Sequence, residues 1–324
     1  NLDFAHDTKE FAELTLGRSC RIRDVGKLQR AFARLSRGIE AFSRFVPEPV
    51  VRNIVRGDES ALRVHVAKRQ VTIMFTDIRD FTAIAQDLRE RDVLFVLTRY
   101  FTVMTRVVEL YEGVISEILT DGLLVFWNTP HSVEDHASKA CAAALAQHRA
   151  LARLNAEFAR AGLPQLSIRI GIHTGDTLSG NLGSETKMKF GCLGDPVNLT
   201  SRIQGLTSRY GVGTIFTAAV HQELSRSEGF VSRRLDLVQV KGKKEPITIY
   251  ELVDREDAGP SPSNATASLN PRREQLRRYE MALSAYQKAD FPEAFALAGE
   301  VLDEDPHDVA AALLRERAGA SGGL

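Results

Sequence analysis

Two hydrophobic periods alternate along this chain of 324 residues. Between about residues 23 and 46, Leu28, Ala31, Phe32, Leu35, Ile39 and Phe42 recur at helical spacing among charged neighbours, the pattern of a helix with one apolar seam. Pro47 and Pro49 break that run. From Val71 the texture changes, and VTIMFTDI reads as a buried strand. A helix is expected from about Val93 to Glu109, then strands VISEIL and GLLVFW around a tight Thr120-Asp121-Gly122 turn. An Ala-rich helix from about Glu134 to Ala161 closes at Gly162 and Pro164. LSIRIGIHTG and KMKFGCLG follow as strands, DPVNLTSRIQGLTSRYG as a helix, TIFTA as a strand, and after another helix LDLVQVKG and ITIYELV. Strands alternating with helices predict an α/β sandwich whose sheet is covered on one face.

Composition places the boundaries. Asp254 to Pro271, DREDAGPSPSNATASLNP, is rich in Pro, Ser and Asn and reads as a linker. Four segments follow: a helical signalling and dimerisation segment over 1–65, a catalytic-looking domain over 66–254, a linker over 255–271 and a helical tail over 272–324. The seam of the first segment fits either an amphipathic packing helix or a parallel dimer stalk. Arg23 to Leu35, RDVGKLQRAFARL, resembles the second helix of a HAMP signal-relay module. That resemblance implies a membrane-anchored sensor upstream of residue 1 in the parent protein, with this chain on the cytoplasmic side. The tail reads as two helices and resembles a single tetratricopeptide repeat. A lone repeat cannot bury both its faces, so it is expected to pack on the main domain, a dimer mate or a missing neighbour.

Charge and cysteine usage narrow the classes. Forty-two basic residues offset forty-two acidic ones, so nothing global favours nucleic acid, and any anion site must be local. Three scattered cysteines, Cys20, Cys141 and Cys192, exclude a disulfide scaffold and a cysteine zinc site. No uncharged run reaches the roughly 18 residues that span a bilayer. Without an initiator Met or signal peptide, the chain is read as a processed or excised fragment.

No GxxxxGK[ST] loop, HExxH or strand-following GxGxxG is present, so a bound nucleotide would rely on carboxylate-held metal and scattered cations. Asp77 ends an apolar strand and Asp121 tips a hairpin. Carboxylates at the ends of neighbouring strands can converge on a pair of divalent ions, as in-line displacement at phosphorus by two metals requires. Taken alone, each is an ordinary turn former or helix cap.

Their company changes that reading. FTDIRDFT, EILTDGLLVFW, IRIGIHTGDTLSGNLGS, LGDPVNLTSRI and VQVKGKKEPITIYEL occur in the order and spacing of a class III nucleotidyl cyclase catalytic domain, which the chain resembles over roughly Arg69 to Val253. The resemblance implies an α/β fold of the ferredoxin-like palm type, with a helical stalk before it and a helical tail after it. It implies two divalent ions, Mg²⁺ or Mn²⁺, held by Asp77, Asp121 and the backbone carbonyl of Ile78. It assigns Asn198 to orienting the ribose, Arg202 to charge developing on the transferring phosphate, and Lys241 to the triphosphate. Lys243 and Lys244 are expected to be a solvated basic turn. A homodimer with shared active sites is implied too, the metal pair of one chain facing the base selector, Asn, Arg and Lys of the other.

The base selectors depart from the commonest bacterial form. Where adenylate cyclases carry Lys and then Asp or Thr, this chain has Glu117 and Gly191. A carboxylate can only accept hydrogen bonds and therefore suits guanine, whose N1–H and amino group both donate; against adenine N1 it would meet a lone pair. Guanylate cyclases commonly pair that Glu with a Cys, and Cys192 lies one residue away from the matching position. Thr120 stands where Gly is usual and is expected to stiffen the turn. The expected reaction is GTP to cyclic GMP and pyrophosphate in signal transduction. ATP to cyclic AMP is the runner-up, and a catalytically silent regulatory module is the alternative of another class.

Overall fold

The computed structural model describes residues 23–43, 45–58, 63–224, 229–243, 245–255 and 265–322. Two compact units divide the chain, one of residues 1–67 with 178–192, the other of residues 68–177 with 193–324.

In the first unit, helix α1 (Arg23–Phe42) stops short of Pro47, and α2 (Glu48–Val55) starts just after it, with Pro49 in its first turn. Proline lacks an N–H and fixes φ, which a first turn tolerates and a helix interior does not. The seam expected on α1 is exposed: Leu28 is 71%, Phe32 46%, Leu35 61% and Phe42 50% accessible. That matches a face left for something other than this chain's own core. Residues 1–22 lie outside the described residues. The unit also holds the first residues of strand β1 (His65–Ile78), the last of β4 (Ile168–Gly183) and most of β5 (Met188–Leu193), which pairs with β4.

The second unit contains the palm. After β1 come α3 (Phe81–Gln86), α4 (Glu90–Leu110), β2 (Val114–Ile118), β3 (Gly122–Trp127) and α5 (His136–Arg160) before the chain enters β4. Then follow α6 (Asp195–Tyr210), β6 (Thr214–Thr217), α7 (Ala218–Leu224), β7 (Phe230–Val238) and β8 (Ile247–Arg255). The sheet order is β2-β3-β1-β4-β6-β8-β7, so β1 to β4 with their crossover helices form the ferredoxin-like βαββαβ arrangement. β1 and β3 are antiparallel, β4 and β6 parallel.

One face of the sheet is buried by α4 and α5. Tyr100, Met104 and Val108 from α4 and Ala140, Cys141, Ala144 and Leu151 from α5 meet Met74, Val125, Trp127, Ile170 and Ile172 from the strands. Alanines let α5 lie close to the pleat. The other face departs from expectation. Over β6, β8 and β7 it is covered too, because Ile215, Ile249 and Leu235 pack with Leu199 and Ile203 of α6 and with the tail. Successive strand residues point to opposite faces, so Ile215 serves this second core while its neighbour Phe216 serves the first.

The tail has three helices, not two: α8 (Ala265–Gln287), α9 (Phe291–Glu304) and α10 (Val309–Gly322). Helix α8 begins inside the stretch 255–271 expected to be linker, of which 256–264 lie outside the described residues. Of the packing partners expected for the tail, the main domain is the one found. Strand β7 likewise starts five residues before the expected LDLVQVKG. Its Arg233 and Arg234 hide the strand in a hydropathy reading, yet Arg233 is only 4% exposed and pairs with Glu251 and with Asp308 of the tail. A buried charge is tolerable when paired in this way.

Two half-buried histidines tie β6 to its surroundings: His148 of α5 bonds the Thr214 hydroxyl at 2.9 Å, and His173 of β4 bonds that of Thr217 at 2.8 Å. Burial holds both down, to about 4. Above the ordinary histidine range neither state binds the proton; below it only the unfolded chain does. Stability is therefore full above about pH 6.5 and is lost as pH falls toward 4, by about 1.4 kcal/mol per pH unit for each histidine. Urea titrations from pH 7 to pH 4.5 should show this loss, and His148→Gln should reduce the slope by about 1.4 kcal/mol per pH unit.

Candidate active site

The two aspartates proposed to hold metal come together through β1 and β3. Asp77 pairs with Gly122, next to Asp121, and the Ile78 N–H donates to the Asp121 carbonyl at 2.9 Å. The hairpin closes with Leu119 N–H to Gly122 O at 2.8 Å. A Cβ on Gly122 would lie 1.8 Å from the Thr76 carbonyl oxygen, so only glycine lets the hairpin tip approach β1 this closely. Thr120, on the same tip, is exposed. Burial, and after it the Asp77 charge, push the Asp121 carboxyl above its usual range, opposed by its own backbone bond and by Arg169. Two half-buried carboxylates at neighbouring strand ends form a concentration of negative charge that a cation relieves.

Arg169 of β4 is the residue that the sequence reading missed. Its guanidinium grips Asp77 with Nε to Oδ1 at 2.8 Å and Nη2 to Oδ2 at 3.0 Å, while Nη1 donates to Ser208 Oγ on α6 at 2.7 Å. Period-two alternation offered the signal: Ile168, Ile170 and Ile172 enter the core, so Arg169 must lie on the opposite face, where Asp77 also lies. Such a fork matches a carboxylate pairwise.

Glu117 reaches that same face by a bulge. Ile115 pairs with Val125 and Glu117 with Leu124, the register slipping at Ser116. Regular alternation would place Glu117 on the face of Ile115, under α4 and α5. The slip instead puts it beside Leu124, on the face of Phe75 and Asp77. Glu117 is half-buried there.

A second group gathers at the start of α6. Asn198 is exposed and Arg202 half-buried, one helical turn apart. An Arg202 Nη donates to the carbonyl of Lys241, in the turn between β7 and β8. Lys243 pairs with Asp195 in the first turn of α6, so it is not the solvated lysine expected; Lys244 lies outside the described residues. Lys241 itself is exposed. Gly191 and Cys192 are both buried in β5, within the unit of residues 1–67 and 178–192. Among the described residues no cluster of three or more His, Cys, Asp or Glu forms a metal centre, so an ion here would draw on two carboxylates, backbone and substrate oxygens.

Residues 64–253 match the model of the adenylate and guanylate cyclase catalytic domain. The chain belongs to that family. Adenylate cyclase 1 of Rhizobium meliloti strain 1021 is 32% identical over 235 residues, which are 72% of this chain and 35% of that protein; the chain thus spans about a third of that relative's length. Among solved structures, the guanylyl cyclase Cya2 is 32% identical, with a TM-score of 0.54 over 60% of this chain and 97% of that one. The adenylyl cyclase CyaB from P. aeruginosa is 27% identical, with a TM-score of 0.56 over 60% and 100%. The cyclase domain thus lies inside a palm of known type, and class III cyclases use divalent metal ions. The acidic pair at Asp77 and Asp121 suits that chemistry.

Because Asp121 is held above its usual range, a cation must displace its proton at low pH. Mg²⁺ or Mn²⁺ affinity, measured calorimetrically on this chain, should therefore rise with pH through the upper carboxylate range and level off above it. Asp121→Asn should weaken binding and flatten that dependence; an unchanged pH profile would remove Asp121 from the site.

Proposed function

We propose that this domain converts GTP to cyclic GMP and pyrophosphate, working as a homodimer with shared sites. The observation that carries the choice of base is Glu117, an acceptor-only side chain brought by the β2 bulge to the face of the metal carboxylates. Guanine presents two donors to it; adenine presents an unpaired acceptor, a mismatch that costs selectivity ratios of about 10²-fold or more in buried sites. At the second base-selecting position, Gly191 brings no side chain. Identity to relatives does not choose the base, being 32% both to the guanylyl cyclase structure and to the Rhizobium adenylate cyclase.

In this reading Asp77 and Asp121, with the Ile78 carbonyl, hold two divalent ions, Mg²⁺ or Mn²⁺, which when bound supply Lewis acidity and a template for the triphosphate. Asn198 orients the ribose so that its 3′-hydroxyl lies in line with the α-phosphate. Arg202 meets the negative charge that grows on that phosphate as pyrophosphate leaves, and Lys241 holds the outer phosphates. The 3′-oxygen forms the new P–O bond, its proton passes to solvent, and the bond to the pyrophosphate oxygen breaks. Asn198 and Lys241 are exposed, as groups that meet a second chain would be, and the seam on α1 gives that pairing its apolar contact. An upstream membrane sensor would act through this stalk.

A second reading, ATP to cyclic AMP, draws on the adenylate cyclase name of the Rhizobium relative. Side-by-side assays decide between them: GTP turnover should exceed ATP turnover at least 10-fold, and Glu117→Lys should cut GTP turnover by at least 10-fold, as loss of a polar contact worth about 1–3 kcal/mol requires. Faster turnover of ATP by the wild type would overturn the guanine assignment.

Complementation tests the shared site. Asp77→Ala and Arg202→Ala homodimers should each be inactive. After subunit exchange, mixed dimers carry both lesions in one site and none in the other, so activity should return to about a quarter of wild type under random pairing. No recovery despite proven exchange would mean that the site is built within one chain or that both sites must work together.

A further inference from the structure

Helix α6 carries Asn198 and Arg202 at its start, and its far end is held by the tail. Tyr210, the last residue of α6, is 2% exposed, and its hydroxyl donates to Asp236 Oδ2 at 2.6 Å. Asp236, on β7, is itself 5% exposed. The same oxygen accepts from Arg317 Nη1 of α10 at 2.8 Å, while Oδ1 accepts from the Leu237 N–H at 2.9 Å. Arg317 lies with its guanidinium carbon 5.2 Å from the centre of the Tyr286 ring of α8. Its Nε and second terminal nitrogen are buried without a hydrogen-bond partner, so Asp236 is what draws its charge into this place. Burial, and then Asp236, push the Tyr210 hydroxyl upward, which keeps it a donor at working pH.

Packing repeats the connection. Gly211, the left-handed cap of α6 at φ 68°, has Val309 of α10 against it, and a Cβ there would lie 2.6 Å from Val309 Cβ. Leu199, Ile203 and Tyr210 share one core with Tyr279, Leu283, Val301 and Leu314 of the tail. Asp308, the residue before α10, caps that helix through the Ala311 N–H at 3.0 Å and pairs with Arg233 of β7. The tail is therefore fastened at both ends of α10, to the strand beside α6 and to α6 itself.

We propose that the tail is a positioning clamp for α6, with Tyr210–Asp236–Arg317 as its pin, so that Arg317 and Asp236 are positioning residues for the cyclase reaction. Arg202 stands eight residues before Tyr210, about 12 Å along the helix. A helix transmits a shift at one end to the other as a nearly rigid body. Displacements of about 1 Å at a group acting in the transition state cost on the order of 100-fold in rate. An unpinned α6 would still carry intact Asn198 and Arg202, but at the wrong height for the substrate. The kinetic arm of this inference rests on the cyclase reading; its structural arm does not.

The test uses the full chain with Arg317→Met, which keeps the aliphatic packing on Tyr286 and removes the charge, and Arg317→Lys, which restores it. With whichever of GTP or ATP the wild type prefers, Arg317→Met should lower kcat at least 10-fold with KM within 3-fold, and Arg317→Lys should recover at least a third of wild-type kcat. Amide hydrogen exchange over residues 203–210 should speed up at least 10-fold in Arg317→Met, with α5 unchanged. Tyr210→Phe should move both readouts in the same direction. Faster exchange with kcat within 2-fold of wild type would make the tail a stabilising cover only, and unchanged exchange would remove the pin. Should the wild type turn over neither nucleotide, the cyclase reading fails, and exchange alone decides whether the pin holds α6.

Discussion

Two like charges must be kept side by side at the ends of neighbouring strands, and the palm is arranged around that requirement. Asp77 and Asp121 repel each other, and burial makes the repulsion worse. Left free, such a pair would part or take up a proton. The β1–β3 ladder prevents the first, because the hairpin tip is locked by the Ile78-to-Asp121 and Leu119-to-Gly122 backbone bonds and by the lack of a Cβ on Gly122. Arg169 opposes the second from the neighbouring strand, setting a delocalised cation against Asp77. In the proposed reading the pair is thereby held ready for a divalent ion by backbone geometry rather than by flexible side chains, and positions fixed in advance need little reorganisation when a substrate arrives.

That arrangement divides the sheet by function. Its α4 and α5 face is a continuous core, while the opposite face near β1, β3 and β2 carries Asp77, Arg169 and Glu117. Only farther along, over β6, β8 and β7, does the second face close under α6 and the tail. In the proposed reading the chemistry lies on that other part of the face, while the helix carrying Asn198 and Arg202 packs over the clamped part and its Ser208 accepts from Arg169. Stability and positioning come from the same contacts: Arg233 is buried between Glu251 of β8 and Asp308 of the tail and stacks 4.5 Å from the Tyr279 ring, so removing the tail would take away one of its two carboxylate partners and its aromatic cover.

How much of this was legible follows from range. The amphipathic seam of α1, the buried run of β1, the Ala-rich α5 and the break at Pro47 are local patterns; α1 and α5 stand within a few residues of where periodicity placed them, while β1 begins earlier, at His65 instead of Val71. Asp77 and Asp121 were paired by their place at strand ends and by the family resemblance of the motifs around them; taken alone, each reads as a turn former or cap. Family resemblance carried Asn198, Arg202 and Lys241 as positions, and the structure places Arg202 against the Lys241 turn.

The sequence by itself determined most of the strands and helices of the main domain and the acceptor-only chemistry at position 117, because these depend on local period and on side-chain type, and its motifs carried the resemblance that implied the palm. Only tertiary structure decided which face Glu117 occupies, since a bulge is a mismatch between two strands and leaves no mark in one of them. The same holds for Arg169 against Asp77, for Lys243 drawn to Asp195, and for Arg233, Asp236 and Arg317, which read as surface charges until distant segments bring their partners. The linker reading failed at Ala265 for the same reason. A helix of modest propensity is completed there by a tail whose hold on the domain comes from contacts with β7 and α6, formed across a long span of chain.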